Sequence, residues 1–371
     1  MEKKSQRLLS IDALRGFDML FIMGFSSLVI AVCNLFPGGS DCWLATTMGH
    51  AKWHGFTHHD TIFPLFLFLA GISFPFSYAK QLSSGMTTKQ IYTKIFKRAF
   101  ILICLGVVYN GFFQLNFEKL RICSVLGRIG LAWMCAAILY INFKPKTRAI
   151  ICAVILVVYW LLIRFVPAPD TPGADPLSMQ GNLIGYIDRL ITPGRLIYDG
   201  GRFDPEGLLS TVPAVVSAML GIFTGEFIRI PEEKISGTKK SLYMAGAAVA
   251  MLAVGLLWSL DFPLNKMLWS SSFVLVVGSY CLGMYALFYY IIDVRKWQKW
   301  TKFFTVIGMN SITIYMAQKI FAFSSINKFF LGGLAARLPE QWADLLLDTG
   351  YVAICWLFLY FLYKKKTFLK I

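Results

Sequence analysis

The chain has 371 residues, of which 57% are apolar, 16% aromatic and only 15% charged, and its mean hydropathy is +0.60. Soluble globular chains carry about 25% charged residues, so this composition excludes a disordered chain, a collagen-like repeat, a small disulfide scaffold and an ordinary soluble enzyme. The 36 lysines and arginines exceed the 20 acidic residues and give a net charge of +16. In a membrane protein this excess is typical of cytoplasmic loops, so we predict no nucleic-acid partner.

Apolar runs of about 18–25 residues, the length that crosses ~30 Å of hydrocarbon, recur along the chain. We predict an all-α polytopic transmembrane helical bundle of ten spans, forming a single domain over residues 1–371. The predicted spans are 17–36, 61–79, 99–113, 122–143, 149–166, 208–228, 242–260, 267–292, 303–323 and 345–363. A shorter apolar piece, 326–334, is either a re-entrant segment or an eleventh short helix.

The distribution of basic residues predicts the orientation of the spans. If the N-terminus is cytoplasmic, 24 of the 36 lysines and arginines fall on the inner side, among them Lys3, Lys4, Arg7 and Lys370. Every inner connection is then basic, so both termini are expected in the cytoplasm. The first apolar run lacks a small-residue cleavage site and is expected to stay as an anchor. The eight cysteines form no CxxC pair, so neither a zinc site nor a disulfide framework is predicted.

Two predicted outer segments are longer than simple turns. One is the first outer loop, 37–60, and the other is 167–207, which is rich in Pro, Gly and Asp. Long connections without regular structure are usually functional or disordered.

Ionisable and amide side chains close to the predicted spans are candidates for function, because they are costly in a membrane. Those near the inner face are Asp12, Arg15, Asp18, Arg98 and Asn310, and those near the outer face are His50, Asp60, Arg121, Arg128, Asp204, Glu206, Asn265 and Lys266. Anchoring and ion pairing inside the membrane is one interpretation. The arginines have a second interpretation as partners of phosphate or carboxylate groups, which a guanidinium binds bidentately.

All four histidines of the chain lie in the first outer loop, at His50, His54, His58 and His59. The spacing of the first three would place them on one face of a helix, where they could bind a metal. The alternative is a loop with surface histidines. His50 differs from the others because Asp60 enters the membrane nearby, and a neutral histidine oriented by a carboxylate is a suitable general base.

Six motifs in a fixed order carry a resemblance to a known family. They are S-I-D-A-L-R-G at 10–16, W-x-G-x-T…D-x-x-F-P-x-F-x-F at 53–68, R-I-x-x-V-L-x-R-I at 121–129, D-P-E-G at 204–207, P-L-N-K-M-L-W at 263–269 and G-M-N-S-I at 308–312. Over nearly its whole length the chain resembles the heparan-alpha-glucosaminide N-acetyltransferase family of transmembrane acyltransferases.

The resemblance implies that an acetyl group passes from cytosolic acetyl-CoA, the acyl donor, to the amine of an amino sugar on the outer side of the membrane. His50 matches the expected catalytic histidine, and Asp60 matches the aspartate that opens the second span. The large lumenal N-terminal domain of the animal enzymes is absent, which implies a compact bacterial-type homologue in the inner membrane. The chain departs from the family pattern at His54, where Asn is typical, at His58 and His59, which replace small or apolar residues, and at Gln318, where a later histidine often occurs.

Acetyl transfer to an amine needs a base for its proton and a donor to the developing oxyanion. His50 could act as that base or accept the acetyl group itself, and Asp60 would fix its tautomer. Asn265 or Asn310 could donate to the thioester carbonyl. The expected acceptor contacts are Trp53, Asp204, Glu206 and Lys266, and the expected coenzyme A contacts are Arg15, Arg98, Arg121, Arg128 and Asn310.

A multi-pass transporter of a small polar solute or sugar is the competing function class, since ten spans with buried charges also suit a carrier. Against a carrier, the chain has no internal repeat, and its polar residues lie mostly where loops meet spans. The expected partners are the coenzyme A thioester, the amino-sugar acceptor and the lipid bilayer. The oligomeric state is left open, with a homodimer among the alternatives.

Overall fold

The computed structural model describes residues 8–192, 194–198 and 200–369, which are mostly helical. In this part of the chain, eight helical stretches are long and apolar enough to cross a membrane. They are Leu9–Asn34, His58–Ser83, Val125–Asn142, Pro145–Phe165, Leu208–Ile228, Gly237–Trp258, Ser271–Val294 and Glu340–Lys364. An integral membrane protein with a helical fold is therefore confirmed.

Fifteen α-helices are present in the described residues. In chain order they are α1 (Leu9–Leu20), α2 (Ser26–Asn34), α3 (Trp43–Thr46), α4 (Ile62–Ser83), α5 (Thr88–Tyr109), α6 (Val125–Asn142), α7 (Pro145–Phe165), α8 (Leu183–Ile191), α9 (Leu208–Ile228), α10 (Gly237–Trp258), α11 (Ser271–Phe288), α12 (Thr301–Gly308), α13 (Ser311–Ile320), α14 (Phe323–Ala335) and α15 (Glu340–Lys364). The apolar piece 326–334 lies within α14, as a short helix of 13 residues.

Two of the ten predicted spans are not among the eight apolar stretches. The predicted third span lies in α5, whose first half carries Lys94, Lys97 and Arg98, so that its apolar part covers only about 16 Å. The predicted ninth span is divided between α12 and α13. The count of ten and the cytoplasmic position of both termini stay predictions. Of the basic residues used for the orientation, Lys3, Lys4, Arg7 and Lys370 lie outside the described residues.

The chain packs into two compact units. Unit 1 comprises the described residues of 1–51, 57–62 and 284–370, and unit 2 comprises 52–56 and the described residues of 63–283. Unit 1 therefore contains α1–α3, α12–α15 and the end of α11. Unit 2 contains α5–α10 and most of α4 and α11. The first outer loop contributes residues to both units.

A π-helical turn at Phe21–Phe25 bends the first apolar stretch between α1 and α2. Gly24 has φ +112° there, a left-handed conformation that favours glycine. A Cβ atom at this position would also lie 2.9 Å from the Tyr351 ring. The bend therefore requires glycine for both conformational and steric reasons, and such π-turns occur often at functional sites.

Glycines allow close approach of helices within each unit. In unit 1, a Cβ on Gly16 would lie 1.8 Å from the carbonyl oxygen of Phe304, and one on Gly308 would lie 2.0 Å from a backbone oxygen of α1. In unit 2, a Cβ on Gly71 or Gly221 would lie 2.2 Å or 2.0 Å from a backbone oxygen of the facing helix. Backbone contact of this kind is typical of packing between membrane helices.

The long segment 167–207 is folded rather than extended, in the residues that the structure describes; Pro193 and Asp199 lie outside them. Its helix α8 buries Leu183 and Ile184, and Phe203 is fully buried in the same apolar cluster of unit 2. An antiparallel bridge joins Arg121 to Gly194. This segment therefore positions Asp204 and Glu206, which lie at its end, just before α9.

Candidate active site

His50 and Asp60, the two residues expected to carry the chemistry, are hydrogen-bonded in unit 1. The Nδ1 atom of His50 lies 2.8 Å from Oδ1 of Asp60. The Asp60 side chain is only 2% exposed, whereas that of His50 is 46% exposed. Because a carboxylate only accepts hydrogen bonds, Nδ1 carries the proton and the lone pair of the neutral ring is on Nε2. The arrangement produces a base or nucleophile that solvent can reach.

Thr57 holds the other oxygen of the Asp60 carboxylate. Oδ2 accepts hydrogen bonds from Thr57 Oγ1 at 2.8 Å and from the backbone N–H groups of Thr57 and Ala51, both at 3.3 Å. These donors compensate a buried negative charge that would otherwise be costly. They also fix the plane of the carboxylate, and with it the direction from which Asp60 accepts the His50 proton.

The loop around the histidines is not helical between residues 47 and 57. Gly55 has φ +137°, and its N–H donates to the carbonyl of Leu264 at 2.8 Å. The helical face that would have carried His50, His54 and His58 is therefore not formed. In the part of the chain that the structure describes, no group of three or more His, Cys, Asp or Glu side chains is arranged to hold a metal ion.

The remaining three histidines have different surroundings. The His59 ring packs edge-to-face on His50, with centroids 4.5 Å apart, and its Nδ1 lies 3.3 Å from Ser26 Oγ. His58 packs on Phe21, with centroids 4.4 Å apart. His54 belongs to unit 2. The spacing of the histidines does not distinguish these three, but in the structure the ring of His59 packs on the predicted base.

His54 pairs with Asn265 within unit 2, where Nδ1 of His54 lies 3.4 Å from Nδ2 of Asn265. Burial lowers the pKa of His54, and the negative charge of Asp175 partly opposes this shift. Asn265 is fully buried, and its Oδ1 accepts the N–H of Leu268 at 2.8 Å. The amide of Asn265 therefore stabilises the turn that precedes α11, with its nitrogen directed to His54.

Arg121 is bound by two carboxylates in unit 2. Its Nε and Nη2 donate to the two oxygens of Asp204, each at 2.7 Å, and Nη2 also donates to Glu206. Burial alone lowers the pKa of Arg121, but the hydrogen bonds and charges of Asp204 and Glu206 outweigh it and raise the pKa above its ordinary value. Asp204 is fully buried. For Arg121 to bind a phosphate, it would have to leave this bidentate pair.

Arg128 is enclosed in unit 2 and only 2% exposed. Its guanidinium carbon lies 5.0 Å from the centre of the Trp269 ring and 6.0 Å from that of Phe63. It donates to Ser210, and among the described residues its Nε has no hydrogen-bond partner. The aromatic faces provide cation–π stabilisation for a charge that is otherwise removed from water.

The other predicted contacts are placed as follows. Trp53 donates from Nε1 to the carbonyl of Leu177 at 2.8 Å and packs on Phe203. Lys266 lies five residues before the start of α11 and is partly buried. These residues belong to unit 2, so the predicted acceptor contacts Trp53, Asp204, Glu206 and Lys266 share one unit.

The residues predicted near the inner face are divided between the units. In unit 1, Arg15 lies 3.7 Å from Asp12 and is 24% exposed. Asn310 occupies the break between α12 and α13, and among the described residues its Nδ2 has no hydrogen-bond partner. In unit 2, the Arg98 guanidinium carbon lies 4.2 Å from the centre of the Trp133 ring.

Asp188 is a buried carboxylate that the sequence analysis missed. Its Oδ1 accepts the N–H of Leu208 at 3.0 Å and thus caps α9. Burial raises the pKa of Asp188 to about 6, against the opposing effects of the Leu208 N–H and the positive charge of Arg128. The role of Thr57 was also missed, although the spacing T-x-x-D before a helix is a local capping signal.

Two curated proteins are similar to the chain over nearly its whole length. The chain is 28% identical over 424 aligned residues to human heparan-alpha-glucosaminide N-acetyltransferase, covering 98% of this chain and 60% of the human protein. The mouse protein of the same name is 28% identical over 420 aligned residues, covering 99% of this chain and 61% of the mouse protein. The chain is therefore similar, over nearly its whole length, to heparan-alpha-glucosaminide N-acetyltransferases. It spans about three fifths of the length of these curated relatives, and no protein-family model matches it.

Proposed function

We propose that this protein is a membrane acyltransferase that moves an acetyl group from acetyl-CoA to the amine of a glucosamine-like sugar. The observation that carries the proposal is the hydrogen bond between the exposed His50 ring and the buried Asp60 carboxylate, 2.8 Å long, in a chain that is similar to acetyltransferases of this kind. A membrane position supports it, because acetyl-CoA is cytosolic and the acceptor of the proposed reaction lies on the other side.

His50 supplies the base in this proposal. Its Nε2 lone pair takes a proton from the sugar amine while the amine nitrogen forms a bond to the thioester carbonyl carbon. The carbon–sulfur bond then breaks, and the coenzyme A thiolate leaves and takes up the proton. In the alternative route, Nε2 first forms the bond to the acetyl carbon, and the amine then attacks the acetyl-imidazole. Asp60 stabilises the imidazolium in the first route and fixes the Nδ1–H tautomer in both.

The acceptor contacts are part of the same proposal. We assign Trp53, Glu206 and Lys266 to the sugar, since an aromatic ring suits a sugar face and partly buried polar groups suit its hydroxyls. Asp204 is buried and paired with Arg121, so its contribution is to hold Arg121 and Glu206 in place. Asn265 is proposed as a donor to the developing oxyanion, a role that needs its Nδ2 to turn from His54.

We propose that arginines and one amide bind coenzyme A, because guanidinium groups suit its phosphates. Arg15 lies in the middle of α1, and its side chain is 24% exposed. Arg98, Arg128 and Asn310 stay candidates. We place Arg121 last among them, because two carboxylates already engage it.

The test is acetyl transfer by the purified full chain in nanodiscs. Acetyl-CoA is supplied with a panel of amino sugars, and the products are identified by a mass increase of one acetyl group. N-acetylglucosamine in the panel is the matched control, because its amine is already blocked. We expect transfer to glucosamine and none to the control.

The outcomes separate the function classes. Acetylation that is lost in His50→Ala supports the proposal. Protein that neither binds acetyl-CoA nor acetylates any sugar of the panel contradicts it, and solute uptake into sealed vesicles would then favour the transporter.

A further inference from the structure

We propose that His59 is a positioning residue for His50, a role that rests on the proposed function of His50 as base or acetyl carrier. The two rings pack edge-to-face, with centroids 4.5 Å apart and planes inclined by 73°. Both residues belong to unit 1.

The exposed His50 ring needs a restraint besides Asp60. The bond to Asp60 fixes the tautomer and one end of the ring, but rotation about the line of that bond changes the direction of Nε2. Because 46% of the His50 side chain is exposed, this rotation depends on the groups that pack against one face and one edge of its ring. The ring of His59 provides this packing, so that Nε2 keeps one direction toward the reacting carbon.

His59 is itself held at both its backbone and its side chain. Its N–H donates to the carbonyl of Thr47 at 3.1 Å, and its Nδ1 lies 3.3 Å from Ser26 Oγ. Ser26 directly follows the π-turn at Phe21–Phe25. The bend in the first helix, which Gly24 permits, therefore determines where the ring of His59 lies.

The bend has its own support from α13. Gln318 donates from Nε2 to the carbonyl of Ile22 at 3.3 Å and to Tyr351 Oη at 3.1 Å. A π-turn displaces such carbonyls from the regular α-helical pattern. Gln318 satisfies one of them, so the residue that departs from the family pattern supports the helix on which His59 rests.

The test compares His59→Ala, His59→Phe and the matched control His58→Ala. His58 lies in the same turn, and its ring packs on Phe21. We expect His59→Ala to lower kcat about 5- to 10-fold with little change in KM, since misplacing a reacting group affects the chemical step and not the binding of substrate. His59→Phe keeps an aromatic ring and should restore kcat to within about twofold, and His58→Ala should stay near wild type.

A second measurement does not depend on acetyl transfer. Diethyl pyrocarbonate carbethoxylates accessible neutral imidazoles, and mass spectrometry of peptides gives the rate at His50. We expect this rate to rise at least threefold in His59→Ala and to stay at the wild-type value in His59→Phe and His58→Ala.

The activity and labelling measurements test the proposed function and the positioning role separately. Wild-type protein without acetyltransferase activity would overturn the proposed function, but the labelling rates would still show whether His59 packs on His50. An unchanged kcat and labelling rate in His59→Ala would overturn the positioning role. If His59→Phe is as impaired as His59→Ala, the imidazole chemistry of His59 and not its ring packing matters, which also overturns the proposal.

Discussion

The substitution Asp60→Asn tests the tautomer of His50, because an amide differs from a carboxylate in one atom. In the wild type, Oδ2 accepts from the backbone N–H groups of Ala51 and Thr57 and from Thr57 Oγ1, while Oδ1 accepts from His50 Nδ1. An asparagine side chain has only one oxygen, so it can accept hydrogen bonds at only one of these two positions. Its oxygen should face the backbone donors, and its NH₂ group should then face His50.

The magnitude follows from those donors. Turning the NH₂ group toward Ala51 and Thr57 would leave two N–H groups unsatisfied, at about 1–3 kcal/mol each. The orientation that keeps the Nδ1–H tautomer is therefore disfavoured by about 2–6 kcal/mol, or about 30- to 10⁴-fold. In the favoured orientation Nδ1 becomes an acceptor and Nε2 carries the proton. Nε2 can then neither take a proton nor attack an acetyl group, and the same change in the Ser-His-Asp triad costs about 10⁴-fold.

The assay is the initial rate of glucosamine acetylation by full-length protein, with the thermal unfolding midpoint as a check on folding. Asp41→Asn is the matched control, because it makes the same change on an exposed carboxylate of the same loop. We expect Asp60→Asn to lose at least 30-fold in kcat with an unchanged midpoint and Asp41→Asn to lose less than twofold. A folded Asp60→Asn variant within threefold of wild type would refute the tautomer argument.

Three further predictions concern other parts of the chain. His50→Ala should lose about 10²–10⁴-fold in rate, while His54→Ala, assayed alongside, should keep most of it; an equal loss in both would contradict a single base. The pKa of Asp188 is raised to about 6 in the folded chain, against about 4 in the unfolded chain. Between these two pH values the folded chain keeps a proton that the unfolded chain releases. The free energy of unfolding should therefore fall by about 3 kcal/mol as the pH rises from about 4 to about 6. Asp188→Asn keeps the α9 cap, so its thermal unfolding midpoint should fall less than that of wild type between pH 4.5 and 7; parallel curves would exclude this role. Single cysteines within residues 144–148 should react with an impermeant maleimide only after the cells are permeabilised, and those within 167–207 before; the reverse pattern would invert the topology.

The helical membrane fold could be predicted from the sequence because it depends mainly on local composition. A long apolar run must satisfy its backbone hydrogen bonds internally, and a helix does so. The bend at Phe21–Phe25 could not be predicted, since the run is apolar on both sides of it. It depends on Gly24 and on Tyr351, which lies more than 300 residues away in the chain.

The pairing of His50 with Asp60 was predictable, because the resemblance named both and only ten residues separate them. The surroundings of the other histidines were not. A helical spacing suggested one shared face, but the backbone of 47–57 is not helical, so that face is not formed. Which histidine contacts the base depends on Ser26 and Thr47, and no motif marks either residue for that role.

The buried charged groups of this protein differ in the groups that they bond to. Arg121 was predicted as a phosphate contact, but it meets Asp204 and Glu206, more than 80 residues away in the chain. A buried charge must be paired or hydrogen-bonded, and a pair that satisfies this requirement has little capacity left for a substrate. Asp60 is likewise saturated by donors, with one difference: one of them is His50, which is half-exposed. The buried carboxylate thus transmits its orientation to a ring that substrate can reach, which is why the dyad of His50 and Asp60, rather than the larger cluster around Arg121, is the best candidate for the chemistry.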